Sequence, residues 1–577
     1  MDVFAYRFRR RQLRQGFGCH PDWLLLVFAR SMSDPTAKTQ ATPLPFWRRH
    51  WAWLALGLIL LVVVGVRVRL REVPLERDEG EYAYAGQLIL QGIPPYKLAY
   101  NMKLPGTYAS YALIMAVFGQ TTAGIHLGFA LVNLAGITLV FLIGRKVLDD
   151  IAAVVAAGVY ALTSTSPGVL GLAAHATHFV VLSALGGAWF LWRAHETARE
   201  RDFLMAGILS GLAFVMKQHG LFFGVFAFAY GIWRFVAAGR RRPDNAGRNL
   251  VWLTLGLVLP YVLTCGLMLA LGVFKPFWLW TVSYAREYAT AVSVTMLHDI
   301  LVYMGGESVV ENAAFWILGA AGAVVMWWES RLKTALPFLL GLLLAGMVGV
   351  VTGLQLRHHY FVLVLPALAL LNGVMISRAV YLIRHDKSIE LFLALLAMVV
   401  CGVGLLASLV NNSHIWFGLS PAEAGRTMFG GNLFADTRGL AEHIRQNTPA
   451  QSRLAVLGSE PEIYFLSRRH SATGYIYVYP LMERQRFAGQ MQDEMIREIE
   501  TAKPEYVVYV QEPMSWLRRE ESDPRIFKWW EAYGPEHYET VKMVPLMERV
   551  PAAEAGGDEN KLRQRGYLML MERKAGK

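Results

Sequence analysis

An acidic pair, Asp78-Glu79, stands in the stretch Leu75-Glu76-Arg77-Asp78-Glu79-Gly80-Glu81-Tyr82, just beyond the first long apolar segment. A lysine follows in Asn101-Met102-Lys103-Leu104-Pro105-Gly106, immediately before the next apolar run. Carboxylates and a lysine held at one face of a membrane point to chemistry on a phosphate-bearing lipid. The acid would take a proton and the ammonium would hold the phosphate. The bland alternative is a solvated loop with acids favoured at a helix N-terminus by its dipole.

The residues that follow must position the pair. Tyr82, Ala85, Leu88 and Ile89 form one apolar stripe at helical spacing. This predicts a short amphipathic helix lying in the interface plane, which would keep Asp78 at the membrane surface. Ile93-Pro94-Pro95-Tyr96 then breaks the helix and turns the chain back.

The chain has 577 residues, 54% of them hydrophobic, and a net charge of +12. Apolar runs near the ~20 residues needed to cross a bilayer recur over the first 412 positions. They predict spans at Trp51–Val66, Ala123–Ile143, Ile151–Pro167, Phe179–Trp192, Phe203–Met216, Leu221–Phe235, Leu250–Leu271, Ala313–Trp328, Ala335–Gly353, Tyr360–Leu382 and Leu391–Val410. Thr107–Phe118 is short for a span and reads as a helix that only enters the membrane. The fold class is therefore a polytopic α-helical membrane protein of about 11–13 transmembrane helices.

Arg48 and Arg49 ahead of the first span make the N-terminus cytoplasmic by the positive-inside rule. Alternation then places Arg145-Lys146, Arg193/Arg199/Arg201, Arg240-Arg241-Arg242/Arg248, Arg331/Lys333 and Arg378/Arg384/Lys387 on the same side. Arg67, Arg69 and Arg71 break the rule by falling outside, either as a functional cluster or, more simply, by snorkelling to headgroups. Residues 1–50 form a basic cytoplasmic tail, in which Met32 is a plausible start, making 1–31 a start-site artefact. No cleavable signal peptide stands ahead of the first span. Cys19, Cys265 and Cys401 are too far apart for a zinc spacing or a disulfide framework. The positive charge is explained by the cytoplasmic loops and needs no nucleic acid.

The chain is divided as a transmembrane domain over 51–412, with a first external loop at 67–106, and a polar domain over 413–577. In that last domain short β-like runs (Leu454–Leu457, Tyr475–Tyr479, Tyr506–Val510) alternate with helical ones (Asp436–Gln446, Arg484–Thr501, Pro524–Tyr533). This reads as an extracytoplasmic α/β domain on the same side as Asp78.

The block from Arg77 to Gly106 resembles the first external loop of the GT-C glycosyltransferases. The resemblance is greatest to the bacterial branch holding lipid A aminoarabinose transferases and relatives of the dolichyl-phosphate-mannose protein mannosyltransferases. An Asp-Glu pair with a following aromatic opens that loop, matched by Asp78, Glu79 and Tyr82, and a Lys-Pro-Pro-Leu-Gly-like element closes it. Lys103-Leu104-Pro105-Gly106 matches the latter with Leu104 at the first proline position and no residue between Pro105 and Gly106. The small-residue helix Ala206–Met216 ending at Lys217, and Arg357-His358-His359-Tyr360 running to Leu365-Pro366, also look like family segments.

The resemblance implies an inverting glycosyltransferase of the bacterial inner membrane with a periplasmic C-terminal domain. Its donor would be a polyprenyl-phosphate sugar and its acceptor lipid A, a glycan, another glycolipid or a protein. Asp78 would be the base, with Glu79 positioning it or the substrate. Lys103 would hold the phosphate, with Lys217 and Arg357 as further candidates beside His358 and Tyr360. The topology puts Lys217 and Arg357 at the outer face with Asp78, although a snorkelling lysine at a helix end explains Lys217 equally well.

His175 and His178, at i, i+3 spacing on that face, are either ligands for a metal or a sugar-phosphate or, more simply, interfacial histidines bonded to backbone or water. A divalent metal is compatible with these groups, but no ligand set stands out and none is assigned. Phe277–Asp299, with Trp278, Trp280, Tyr284, Arg286, Glu287, Tyr288 and His298, suits a lid or an interfacial aromatic belt. No His-Glu-x-x-His, P-loop or Gly-x-Gly-x-x-Gly pattern supports a nucleotide site. The competing classes are a transporter or flippase of lipid-linked sugars and a non-catalytic scaffold. Ionisable residues at span ends rather than mid-span, and the lack of a clear internal repeat, disfavour the former.

Overall fold

Each apolar run identified in the sequence folds as a helix, because in lipid only a helix satisfies its own backbone polar groups. The computed structural model describes residues 46–241, 243–290, 298, 302, 306–330, 332–385, 389–430, 433–549 and 562–575. The basic tail through residue 45 with Cys19 and Met32, together with Arg242, Arg331, Lys387, residues 291–297, 299 and 300, lies outside the described residues.

The membrane part comprises α1 (Phe46–Arg69), α2 (Arg77–Leu90), α3 (Pro105–Phe118), α4 (Thr122–Val147) and α5 (Asp150–Thr163). It continues through α6 (Ala176–Thr197), α7 (Glu200–Met216), α8 (Leu221–Ala237), α9 (Ala246–Ala270), α10 (Ala313–Trp328), α11 (Leu336–Val351), α12 (Leu365–His385) and α13 (Ile389–Ser413). Among the described residues, six segments are long and apolar enough to cross a membrane: Arg49–Arg69, Thr122–Val147, Gln218–Ala237, Ala246–Ala270, Leu365–Arg384 and Glu390–Gly418. Shorter apolar helices at Asp150–Thr163, Ala313–Trp328 and Leu336–Val351 accompany them. Leu58 and Leu61 on α1, Leu263 and Leu267 on α9, and Phe392 and Val399 on α13 are exposed, as lipid-facing residues are. The polytopic helical class is borne out.

Helix starts follow from local chemistry. Thr121 caps α4 by accepting the Gly124 N–H, Asp149 caps α5 through Ala152, and α3 begins with Pro105, which gives up no helical hydrogen bond there. Small residues let α7 and α9 touch backbone to backbone: a Cβ on Gly207 would lie 2.3 Å from the Leu253 carbonyl oxygen.

Two sequence expectations are corrected. The helix carrying Asp78 is not an interfacial helix with one apolar stripe. Every residue from Arg77 to Leu88 is buried, because α2 is packed by α3 on one flank and by the C-terminal domain on another. Nor does Arg67 snorkel. It is buried, donates to Asn133 Oδ1 (3.0 Å) and Gly171 O (3.0 Å), and lies over the Phe129 ring. Arg69 likewise bonds the carbonyls of Trp416 and Leu419.

The C-terminal part contains α14 (Pro421–Met428), α15 (Phe434–Asn447), α16 (Glu462–Ser467), α17 (Ala488–Ala502) and α18 (Arg525–His537). Around them stand strands β1 (Arg453–Leu457), β2 (His470–Ser471), β3 (Tyr506–Gln511), β4 (Tyr538–Arg549) and β5 (Leu562–Arg573). The sheet order is β2-β1-β3-β5-β4, with β1 parallel to β2 and β3 and the β5 pairings antiparallel. The expected strand at Tyr475–Tyr479 is a loop that enters a short helix at Tyr479–Met482: its amides bond side chains and not a neighbouring strand, Tyr475 N–H to Thr473 Oγ1 and Val478 N–H to Ser459 Oγ. One apolar cluster runs without interruption from α2 and α3 into this sheet, and residues 52–577 form a single unit.

Candidate active site

The first turn of α2 is fixed by a capping box: Glu76 accepts the Glu79 N–H (3.0 Å) and the Glu79 carboxylate accepts the Glu76 N–H (3.3 Å). This fixes the direction in which Asp78 points. Its Oδ2 accepts from Lys103 Nζ (3.0 Å) and from Tyr82 OH (3.3 Å), one turn along the same helix. Lys103 also donates to the Tyr82 hydroxyl (3.2 Å). Its own backbone is held by Tyr96 OH on the Lys103 carbonyl (2.7 Å) and by Gln218 Nε2 on the Met102 carbonyl (2.7 Å). The start of α3 docks on the end of α7, where Thr107 Oγ1 donates to the Met216 carbonyl (2.7 Å) and so brings Lys217 beside the loop.

A second chain of contacts closes the group. Lys217 Nζ lies 3.3 Å from His359 Nε2 and 4.3 Å above the Tyr360 ring. The His359 ring stacks on His175 at 4.1 Å, and His175 Nδ1 is 3.6 Å from Glu76 and 4.0 Å from Asp78. Asp78, Lys103, Lys217, His175, His359 and Tyr360 are all buried. Arg357, half-buried, lies among Tyr288, Tyr360, Tyr477 and Tyr479, the last two supplied by the C-terminal domain.

Burial pushes the Asp78 carboxyl up, but Lys103, then His175 and Lys217, outweigh it and hold it well below the usual carboxylate range. Burial would lower Lys103, yet Asp78 and Glu81 keep it above the usual range. The third carboxylate of α2, Glu81, accepts from Tyr108 OH (2.5 Å) and Asn101 Nδ2 (2.7 Å), and burial pushes it up to about 7 against the pull of Lys103.

Not every expected residue joins this group. Glu79 is wholly buried on another side of the helix, bonded to the Ala174 N–H (2.6 Å) and His126 Nε2 (3.0 Å). His358 directs Nδ1 to Ser308 (3.2 Å), and His178 packs edge-on against Phe129. His175 and His178 therefore do not act as the i, i+3 pair that their spacing suggests, because His175 has extended backbone and stands just before α6, with no side-chain bond to it. Sequence reading passed over Glu81, Glu76, His126 and His359. Glu81 had a signal in its i+3 relation to Asp78, and Glu76-x-x-Glu79 is a legible capping-box pattern.

Asp78, His175 and His359 each offer a ligand atom, all within 4.8 Å of one another, in a donor set that zinc would accept. The surrounding charges oppose it. Lys103 already bonds the Asp78 carboxylate, and Lys217 bonds the His359 nitrogen. The Lys103 ammonium and the Lys217 amine, which burial and then Lys103 bring down to about 7, thus already hold the atoms that a divalent cation would take.

Residues 103–280 match the family model described as dolichyl-phosphate-mannose-protein mannosyltransferase. No curated protein sequence matches the chain. Among solved structures the chain is similar to ArnT from Cupriavidus metallidurans bound to undecaprenyl phosphate, at 15% identity and TM-score 0.56, covering 90% of this chain and 98% of that one. It is also similar to the oligosaccharyltransferase AglB from Archaeoglobus fulgidus, in complex with an inhibitory peptide and a dolichol-phosphate, at 14% identity and TM-score 0.50, covering 81% and 70%. The chain is thus a polytopic helical membrane protein with the fold of ArnT and AglB and a C-terminal sheet domain.

Proposed function

We propose that the chain is an inverting glycosyltransferase that moves a sugar from a polyprenyl-phosphate donor to a hydroxyl acceptor on the extracytoplasmic side. The observation that carries this reading is the buried Asp78–Lys103 pair, with Lys217 close by, in a chain of this fold. ArnT of that fold binds undecaprenyl phosphate, which is the donor-phosphate chemistry that Lys103, Lys217 and Arg357 suit.

In this mechanism the lipid phosphate competes for Lys103. As the ammonium turns to the phosphate, Asp78 loses the partner that holds its carboxyl low and regains basicity. Asp78 then takes the proton of the acceptor hydroxyl while the acceptor oxygen bonds the anomeric carbon. The bond from that carbon to the phosphate oxygen breaks, and polyprenyl phosphate leaves with the electron pair, held by the cations. Glu79 positions Asp78 through the capping box, and Tyr82 orients its carboxylate.

The accompanying topology is a cytoplasmic N-terminal tail (1–50), a catalytic membrane domain (51–412) and a periplasmic α/β domain (413–577) in a bacterial inner membrane. The acceptor is lipid A, a glycan, another glycolipid or a protein. The test is sugar transfer in vesicles from radiolabelled undecaprenyl-phosphate sugars, wild type against Asp78→Asn. Transfer by the wild type alone supports the reading and identifies the sugar. Label that only crosses the bilayer would make the chain a transporter, and normal transfer by the variant would remove Asp78 as the base.

A further inference from the structure

The first turn of α2 faces two ways. Asp78 points into the acid–lysine group, while its neighbour Arg77 enters the C-terminal domain. Arg77 Nε donates to the Ser459 carbonyl (2.6 Å) and a terminal nitrogen to Glu460 Oε1 (3.3 Å). The guanidinium lies 5.3 Å from the Phe434 ring and 5.2 Å from the Tyr479 ring. Ser515 Oγ donates to the second Glu460 oxygen (2.8 Å) and accepts the Ser459 N–H (3.0 Å), which fixes the carboxylate from behind. Beside this socket α2 touches α16 with no space between them: a Cβ on Gly80 would come within 2.6 Å of the Glu462 amide nitrogen.

Arg77 is 7% exposed and Glu460 not at all. A buried ion pair contributes little net stability, since desolvation offsets the attraction, but its fixed geometry sets register well. The planar guanidinium fork suits that use better than a flexible ammonium. Asp78 is one peptide away, so the socket defines where the acid stands.

We propose that Arg77 is a positioning residue for Asp78, so that the C-terminal domain sets the geometry of the transfer step through the Arg77–Glu460–Ser515 socket. This rests on the transferase reading above. Arg77 does not touch the reacting atoms; it acts through Asp78.

The experiment measures sugar transfer with full-length Arg77→Lys, Arg77→Gln, Glu460→Gln and Ser515→Ala in vesicles, alongside amide hydrogen exchange of residues 77–90. The expected result for Arg77→Gln is a kcat lower by about 10- to 100-fold with donor KM nearly unchanged, because a misplaced acid loses transition-state rather than ground-state interactions. Arg77→Lys and Ser515→Ala fall between it and wild type, and exchange over 77–90 rises while β1 and β3 stay protected. Full kcat in both Arg77 variants overturns the proposal. So does loss of protection in β1 and β3, which would make Arg77 a general stability residue. If the wild type transfers no sugar, the transferase reading fails by itself, and the exchange arm still decides the anchor: unchanged exchange over 77–90 in Arg77→Gln removes it.

Discussion

Asp78 and Glu79 are adjacent in sequence yet occupy opposite situations. Glu79 is spent on structure: the Glu76 and Ala174 amides and the His126 ring bond its carboxylate, and no surface remains to it. Asp78 is held by one ammonium and one phenol. Beside it, both His175 ring nitrogens lack a hydrogen-bond partner. Buried polar groups are normally satisfied, so under the proposed function these nitrogens would meet the donor on that side of α2. The ~100° that separates successive residues on a helix is enough to give one acidic pair two different surroundings.

The largest effect should come from Asp78→Asn, with transfer per folded molecule down by about a thousandfold or more, as befits loss of a base, beside a stability loss of about 3 kcal/mol as the buried Lys103 loses its partner. Activity that only tracked the folded fraction would erase the contrast. Glu79→Gln should act through stability alone, which falls by about 3 kcal/mol because His126 loses its buried partner. Residual activity would then track the folded fraction measured by thermal denaturation. Lys103→Met should raise the donor KM by about 10- to 30-fold, and a pH–rate profile should show the acid limb moving upward as Asp78 loses its main cationic partner.

Glu81 sharpens the comparison through pH. Its pKa is raised in the folded state, so the folded chain binds a proton that the unfolded chain has released, and the stability contribution falls as pH rises from the ordinary glutamate range to about 7. Glu81→Gln should flatten that part of the melting-temperature profile; an unchanged profile would mean that Glu81 is ionised throughout. Smallest of all, a chelator of divalent ions should change transfer little, since the Lys103 and Lys217 amines already bond the Asp78 and His359 atoms that a cation would contest. Strict dependence on added metal would reassign Asp78, His175 and His359 as ligands.

Much of the fold was legible because it rests on long apolar runs, and each of the eleven expected spans falls on a helix. Asp78 and Lys103 were also legible, since a charge beside an apolar helix is conspicuous. What the sequence hid depends on contacts across long separations. Nothing local marks His126 as the partner of Glu79, or Glu460 as that of Arg77, 383 residues on. Tyr475–Tyr479 has strand-like composition, but burial by neighbours on several sides, not pairing, keeps those residues apolar. The interfacial reading of α2 failed for the same reason: a stripe predicts one covered face and carries no record of a domain that covers the rest.

The buried Arg67 bears on how the chain is assembled. Its partner Asn133 lies 66 residues downstream, on α4. Until α4 is made, the end of α1 carries a cation with no protein group to meet it, and such a charge near lipid costs on the order of 1–3 kcal/mol. The first helix is therefore incomplete as a membrane element when it leaves the ribosome. A nascent chain stopped before Asn133 should therefore hold α1 less firmly than one stopped after Gly171, where both groups that accept from Arg67 are in place.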